Sequence, residues 1–113
     1  MSYRVPSEIR VIASKAIDYN LSMPMSRRAS YKTENNERKP GTGMRTARRL
    51  ARGSVDLDQI KLMVAWFARH GESQSEKKAR RDRTSKASIA WALWGGSKGR
   101  QWAKSILRRE QRK

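Results

Sequence analysis

The sequence predicts an all-α fold: a small bundle of four to five short helices around a Trp-rich core. Three observations predict it. Wherever apolar residues form a pattern, they recur three or four apart. No stretch of useful length alternates at the period of a strand. Gly, Ser and Pro stand between these segments, where helices begin and end. A chain of 113 residues buries one modest core, so a single folding unit is expected. It parses into an N-terminal helix (1–22), a basic polar linker (23–41) and a helical core domain (42–113) with a basic loop at 72–84.

The first helix follows Val5-Pro6-Ser7, with Pro6 suited to a first turn and Ser7 to a cap. Ile9, Ile12, Ala13, Ala16, Ile17 and Leu21 form its apolar stripe, which stops at Ser22-Met23-Pro24. From there to Gly41 the chain is rich in Ser, Asn, Lys and Arg and has no periodicity, so it reads as a mobile linker. Thr42 caps a short helix that turns Met44, Ala47, Leu50 and Ala51 inward, and Gly53 closes it in a left-handed conformation. Asp56, with Gln59 three residues on, opens the core helix of Leu57, Ile60, Met63, Val64 and Phe67. That helix ends at Arg69-His70-Gly71, with cations where its dipole favours them. The charged run 72–84 lacks apolar anchors and reads as a solvated loop or an extension that orders only on a partner. Ser85 opens a helix through Ile89, Ala92 and Leu93; Gly95-Gly96 breaks it, and Ser97 caps a final helix with Trp102, Ala103, Ile106 and Leu107 inward. Most of Trp66, Trp91, Trp94 and Trp102 are expected to form the aromatic centre, with Trp94, beside the glycines, the one expected to be partly exposed.

The chain carries a net charge of +17, from 27 Lys and Arg against 10 Asp and Glu. The excess falls in three blocks: +7 over 27–52, +4 over 69–86 and +6 over 98–113. Solubility is served by a net charge of about 2 to 8 on a small domain, so an excess this large points to a polyanionic partner. Nucleic acid is the leading one, because each cation that replaces a condensed counterion releases it to solution.

The candidate binding residues follow the blocks. Arg45, Arg48, Arg49 and Arg52 line one helical face with no acidic residue between them, and their guanidinium forks match phosphate oxygens. Lys77, Lys78, Arg80, Arg81 and Arg83 extend the footprint, in a cluster that equally fits an RNA-binding arm or an import signal. The helices flanking Gly95-Gly96-Ser97 have the spacing of a helix-turn-helix, with Lys98, Arg100, Gln101, Lys104, Arg108 and Arg109 on the outer side of the second. An ordinary helical hairpin with a solvated basic face satisfies the same spacing.

Other chemistries find little support. There is no Cys and a single His, so neither a thiolate nucleophile nor a paired-imidazole metal site is expected. Asp56 and Asp58 are explained by capping and the helix dipole. Gly41-Thr42-Gly43 lacks the strand and the remaining residues of a phosphate loop. We therefore expect no enzyme, no cofactor and no metal. The longest apolar run, Ile89 to Trp94, is too short to cross a bilayer, and the N-terminus lacks a signal-peptide pattern, so no membrane association or secretion is expected.

The run Ala47-Arg48-Arg49-Leu50-Ala51-Arg52-Gly53, then Asp56 to Arg69-His70, then Ser88-Ile89-Ala90-Trp91-Ala92-Leu93-Trp94-Gly95-Gly96 with Gly99 and Trp102, resembles a short Trp-rich helical module of tailed-bacteriophage proteins, some linked to head morphogenesis. The likeness covers roughly residues 44–107. Ser97 and Lys98 stand where proteins with this module usually carry an acidic residue, and the loop at 77–83 is more basic here. The resemblance implies a phage protein of the host cytoplasm or the virion. The reading that results is a small phage-type DNA-binding protein gripping phosphates, with groove insertion of the last helix. The alternatives are an RNA-binding protein and a head-assembly component that binds acidic phage proteins.

Overall fold

A computed structural model describes residues 1–113. Six helices dominate: α1 (Ser7–Ser22), α2 (Thr42–Arg52), α3 (Leu57–Gly71), α4 (Gln74–Ala79), α5 (Lys86–Leu93) and α6 (Gly96–Gln111). Four short strands accompany them: β1 (Ser2–Arg4), β2 (Tyr31–Glu34), β3 (Glu37–Pro40) and β4 (Ser54–Asp56). The fold is mainly helical with two small antiparallel sheets, which corrects the all-α expectation.

Both sheets lack the apolar alternation that reveals a strand in sequence. β1 pairs with β4, Tyr3 opposite Val55, through strands of three residues brought together only by the tertiary fold. β2 and β3 form a hairpin closed by Asn35 and Asn36, both at positive φ (52° and 65°). A two-residue turn with positive φ at both positions suits the twist of a hairpin, and Asn tolerates that region. Nearly every hairpin residue is exposed, so it is held by its backbone ladder and its attachment to α1.

That attachment overturns the mobile-linker expectation for 23–41. Asn20, fully buried on the inward stripe of α1, accepts a hydrogen bond from the Ala29 amide (2.9 Å) and donates one to the Ala29 carbonyl (2.9 Å). One side chain thus replaces a backbone pairing and fixes the segment, which also contains a 3-10 turn at Met25–Arg27. Arg28 reinforces it by donating to the carbonyls of Met23 and Leu21.

The basic loop 72–84 is also corrected, since α4 occupies part of it. Its cap is Ser73, whose hydroxyl accepts from the Glu76 amide. Asp56 and Ser85 cap α3 and α5 as the sequence predicts, accepting from the amides of Gln59 and Ser88. Ser7, Thr42 and Ser97 do not cap; each lies inside its helix, after Pro6, Gly41 and Gly95. Gly53 ends α2 at φ 97°, as expected.

The core draws on every helix except α4. Val5, Ile9 and Ala13 from the N-terminal segment pack with Met44, Leu50, Ile60, Met63, Phe67, Leu93 and Ile106. The first helix is therefore part of the central packing. Trp94 is 2% exposed, the most enclosed of the four tryptophans, contrary to expectation. The cause is the turn beside it. Gly95, at φ 104°, folds α6 back so tightly that a Cβ on Gly99 would lie 2.9 Å from the Trp94 carbonyl oxygen. Backbone contact at that distance leaves no room, so Gly99→Ala is expected to destabilise the protein by about 1–3 kcal/mol in denaturant melts.

Candidate nucleic-acid interface

Of the 27 lysines and arginines, five form ion pairs with carboxylates: Lys39, Lys77, Lys98, Arg100 and Lys113. The other 22 have no carboxylate within pairing distance. This follows from composition, since 10 acids cannot neutralise 27 bases, and from helix faces that segregate the cations outward.

On α2, Arg45, Arg48, Arg49 and Arg52 are all exposed, because Met44, Ala47 and Leu50 take the inward positions. Arg48 and Arg52 make no side-chain hydrogen bond. Arg45 donates to the Pro40 carbonyl and the Thr42 hydroxyl, which lays it over the start of its helix. Arg49 differs. It donates to Gln59 Oε1 at 2.7 Å, and Gln59, itself buried, donates to the buried Thr46 hydroxyl. Arg49 is thus tied into the α2–α3 packing.

The second and third blocks meet at Glu72, whose carboxylate pairs with Lys77 (3.7 Å) and Arg100 (3.2 Å). The Arg100 hydrogen bond and the charge of Lys77 hold this carboxyl below its ordinary value. Trp91 adds a second junction, with the Arg80 guanidinium 4.0 Å and that of Arg100 6.0 Å from its ring centre. Arg80 also donates to the His70 carbonyl. Arg80 and Arg100, both half-buried, are therefore anchored cations, and Lys78, Arg81 and Arg83 stand exposed beside them.

On α6, Gly96, Gly99, Ala103 and Ile106 face inward, leaving Lys98, Gln101, Lys104 and Arg108 along one exposed stripe with Arg109 at its edge. This stripe runs about 15 Å along the helix at 1.5 Å per residue. Its N-terminal end is packed down. Lys98 pairs with Glu8 of α1 at 2.9 Å, Arg100 with Glu72, and both glycines are buried. In helix-turn-helix docking the N-terminal residues of the second helix reach the bases, and here that end is flanked by two carboxylates. The free cations Lys104, Arg108 and Arg109 lie on its later turns.

A cleft of about 640 Å³ opens between the β-hairpin, the start of α2, and helices α3 to α5. Lys32, Arg69 and Lys86 stand at it, exposed and without ion pairs. Trp66 lies stacked between His70 and Trp94, with ring centres 4.5 and 4.8 Å away and planes inclined by 30° and 13°. His70 Nδ1 and Glu76 Oε1 are 2.7 Å apart, a role beyond the helix-terminal one expected of this histidine. Sequence reasoning missed this cleft because its cations come from segments read as linker, helix end and cap. The one legible sign was Gly41-Thr42-Gly43, which lines its wall.

Comparisons with family models, with curated proteins and with solved structures find no match to this chain. No helix is long and apolar enough to cross a membrane.

Proposed function

We propose that this chain is a small phage-type protein that binds duplex DNA through its phosphates. The observation that carries the reading is the surplus of exposed cations with no carboxylate partner, on α2, after α4 and along the later turns of α6. Such groups repel one another in the free protein and are relieved when phosphates replace their diffuse counterions. Phosphate contact is favoured over base reading because the start of α6 is packed against α1 and flanked by Glu8 and Glu72. Groove insertion by this helix would have to use its C-terminal half, through Lys104 and Arg108.

The molecule is 44 Å along its longest axis, and at 3.4 Å per base pair that covers about 13 pairs, so a duplex of about 20 pairs offers a full site. Titrating its binding against salt is expected to give a log–log slope of about −5 to −9, for 6 to 10 phosphates engaged. A flat slope with weak affinity would end the proposal. Competition by structured RNA that displaces the duplex at lower concentration would turn the reading toward RNA. Capture of acidic phage proteins that survives nuclease treatment would turn it toward head assembly.

A further inference from the structure

The cleft contains hydrogen-bond donors that no group in the protein accepts. At the start of α2, the Met44 amide donates to the Ser30 hydroxyl and the Arg45 amide to the Gly41 carbonyl, but the amides of Thr42 and Gly43 donate to nothing. Gly43 is buried. Trp94 is 98% enclosed; its indole N–H has no acceptor in the protein, and the nitrogen itself keeps a solvent-accessible edge. This nitrogen lies 3.1 Å from where a Cβ on Gly43 would sit, and the same Cβ would be 2.8 Å from the Ser30 hydroxyl. Gly43 is required there by close packing against Ser30 and Trp94, and three N–H groups without a protein acceptor belong to residues that line this one cleft, at the positive end of a helix dipole.

We propose that this cleft is a pocket for the terminal phosphomonoester of a nucleotide, at the 5′ end of a nucleic-acid strand or on a free nucleotide. The inference rests on the nucleic-acid reading above and deepens it. A phosphomonoester carries nearly two negative charges and three acceptor oxygens, enough to answer all three donors together. A phosphodiester within a duplex lies on a broad convex surface, whereas two of the three donors belong to buried residues. Lys32, Arg69 and Lys86 supply the surrounding positive field, and the only carboxylate in the lining, Glu76, is already joined to His70. The rest of the wall, with Leu62, Trp66, Ala87 and Ala90, is apolar enough for a sugar and a base edge. The volume falls in the range of small-molecule sites, about 300–1,000 Å³.

The test compares a 5′-phosphorylated strand with the same strand ending in a 5′-hydroxyl, at one salt concentration. The phosphorylated strand is expected to bind about tenfold tighter, the scale of a charge-assisted contact with several donors. Trp94→Phe, which removes the N–H and keeps an aromatic ring, should erase that preference, with near-ultraviolet circular dichroism reporting whether the core is intact. Lys32→Gln with Lys86→Gln changes only exposed side chains and should reduce the preference several-fold without touching the fold. Competition by AMP but not adenosine would show that a free nucleotide is also accepted; discrimination between strands without AMP competition would assign the pocket to strand ends. Equal affinity for the two strands, or a preference that survives both variants, overturns the pocket while salt-sensitive duplex binding still stands. Absence of all nucleic-acid binding overturns both readings.

Discussion

Replacing Arg45, Arg48 and Arg52 together by glutamine is expected to flatten the salt dependence of duplex binding by about 2.7 log units per log unit of salt, at about 0.9 per phosphate contact. At a salt concentration near 0.1 M the same relation gives a several-hundred-fold loss of affinity. The three are chosen because each is exposed on α2, while Arg49 holds the buried Gln59 and would confound binding with stability. Glutamine keeps most of the aliphatic stem and the helix propensity, so thermal stability should hold or rise as like charges are removed. The loss should be uniform over duplex sequences, because phosphates carry no base identity. Fluorescence anisotropy at several salt concentrations reads slope and affinity at once. An unchanged slope would take the α2 ridge out of the interface. Gln101→Ala is the counterpart: without base reading it leaves both slope and sequence preference unaltered.

Asn20→Ala is expected to cost about 3 kcal/mol, because it removes two buried hydrogen bonds and leaves the amide and carbonyl of Ala29 without partners. Its amide also lies 3.3 Å from the Met44 sulfur, so the truncation opens space against the core. For a domain of this length the melting temperature should fall by roughly 10 °C. Hydrogen exchange offers a local reading, with the amides of β2 and β3 losing protection before those of α3. A drop of only a degree or two would mean that the hairpin is held by something else. The variant also bears on the cleft: Ser30 and Lys32 follow Ala29 in the chain, so a released segment should lose the preference for a phosphorylated strand end even at temperatures where the helices remain folded.

Most helices were legible because their cause is local. Apolar spacing placed α1, α2, α3, α5 and α6, and the caps at Asp56 and Ser85 are side chains bonding to amides three residues on. α4 carried a readable sign in Ser73 and Glu76, a capping-box spacing that the surrounding charge obscured. Asn20 was readable in part, as a polar residue on the apolar stripe of α1; its partner Ala29 was not, since nothing in a run of small and polar residues marks one backbone unit for capture. The hairpin escaped because its side chains face water on both sides, and Asn35-Asn36 was its only mark.

By itself the sequence determined the charge excess, its division into blocks, the helical periods and the Gly-Gly break, because each depends on residues within a turn or two of one another. Only the tertiary structure decided which cations are free, which are anchored by Glu72, Glu8 or Trp91, and that Trp94 lies under the surface with its N–H toward Gly43. Those outcomes depend on contacts between residues far apart in the chain. The cleft shows the difference: its lining comes from the hairpin, the start of α2 and helices α3, α4 and α5, and no local pattern announces that five separate segments will close on one small volume.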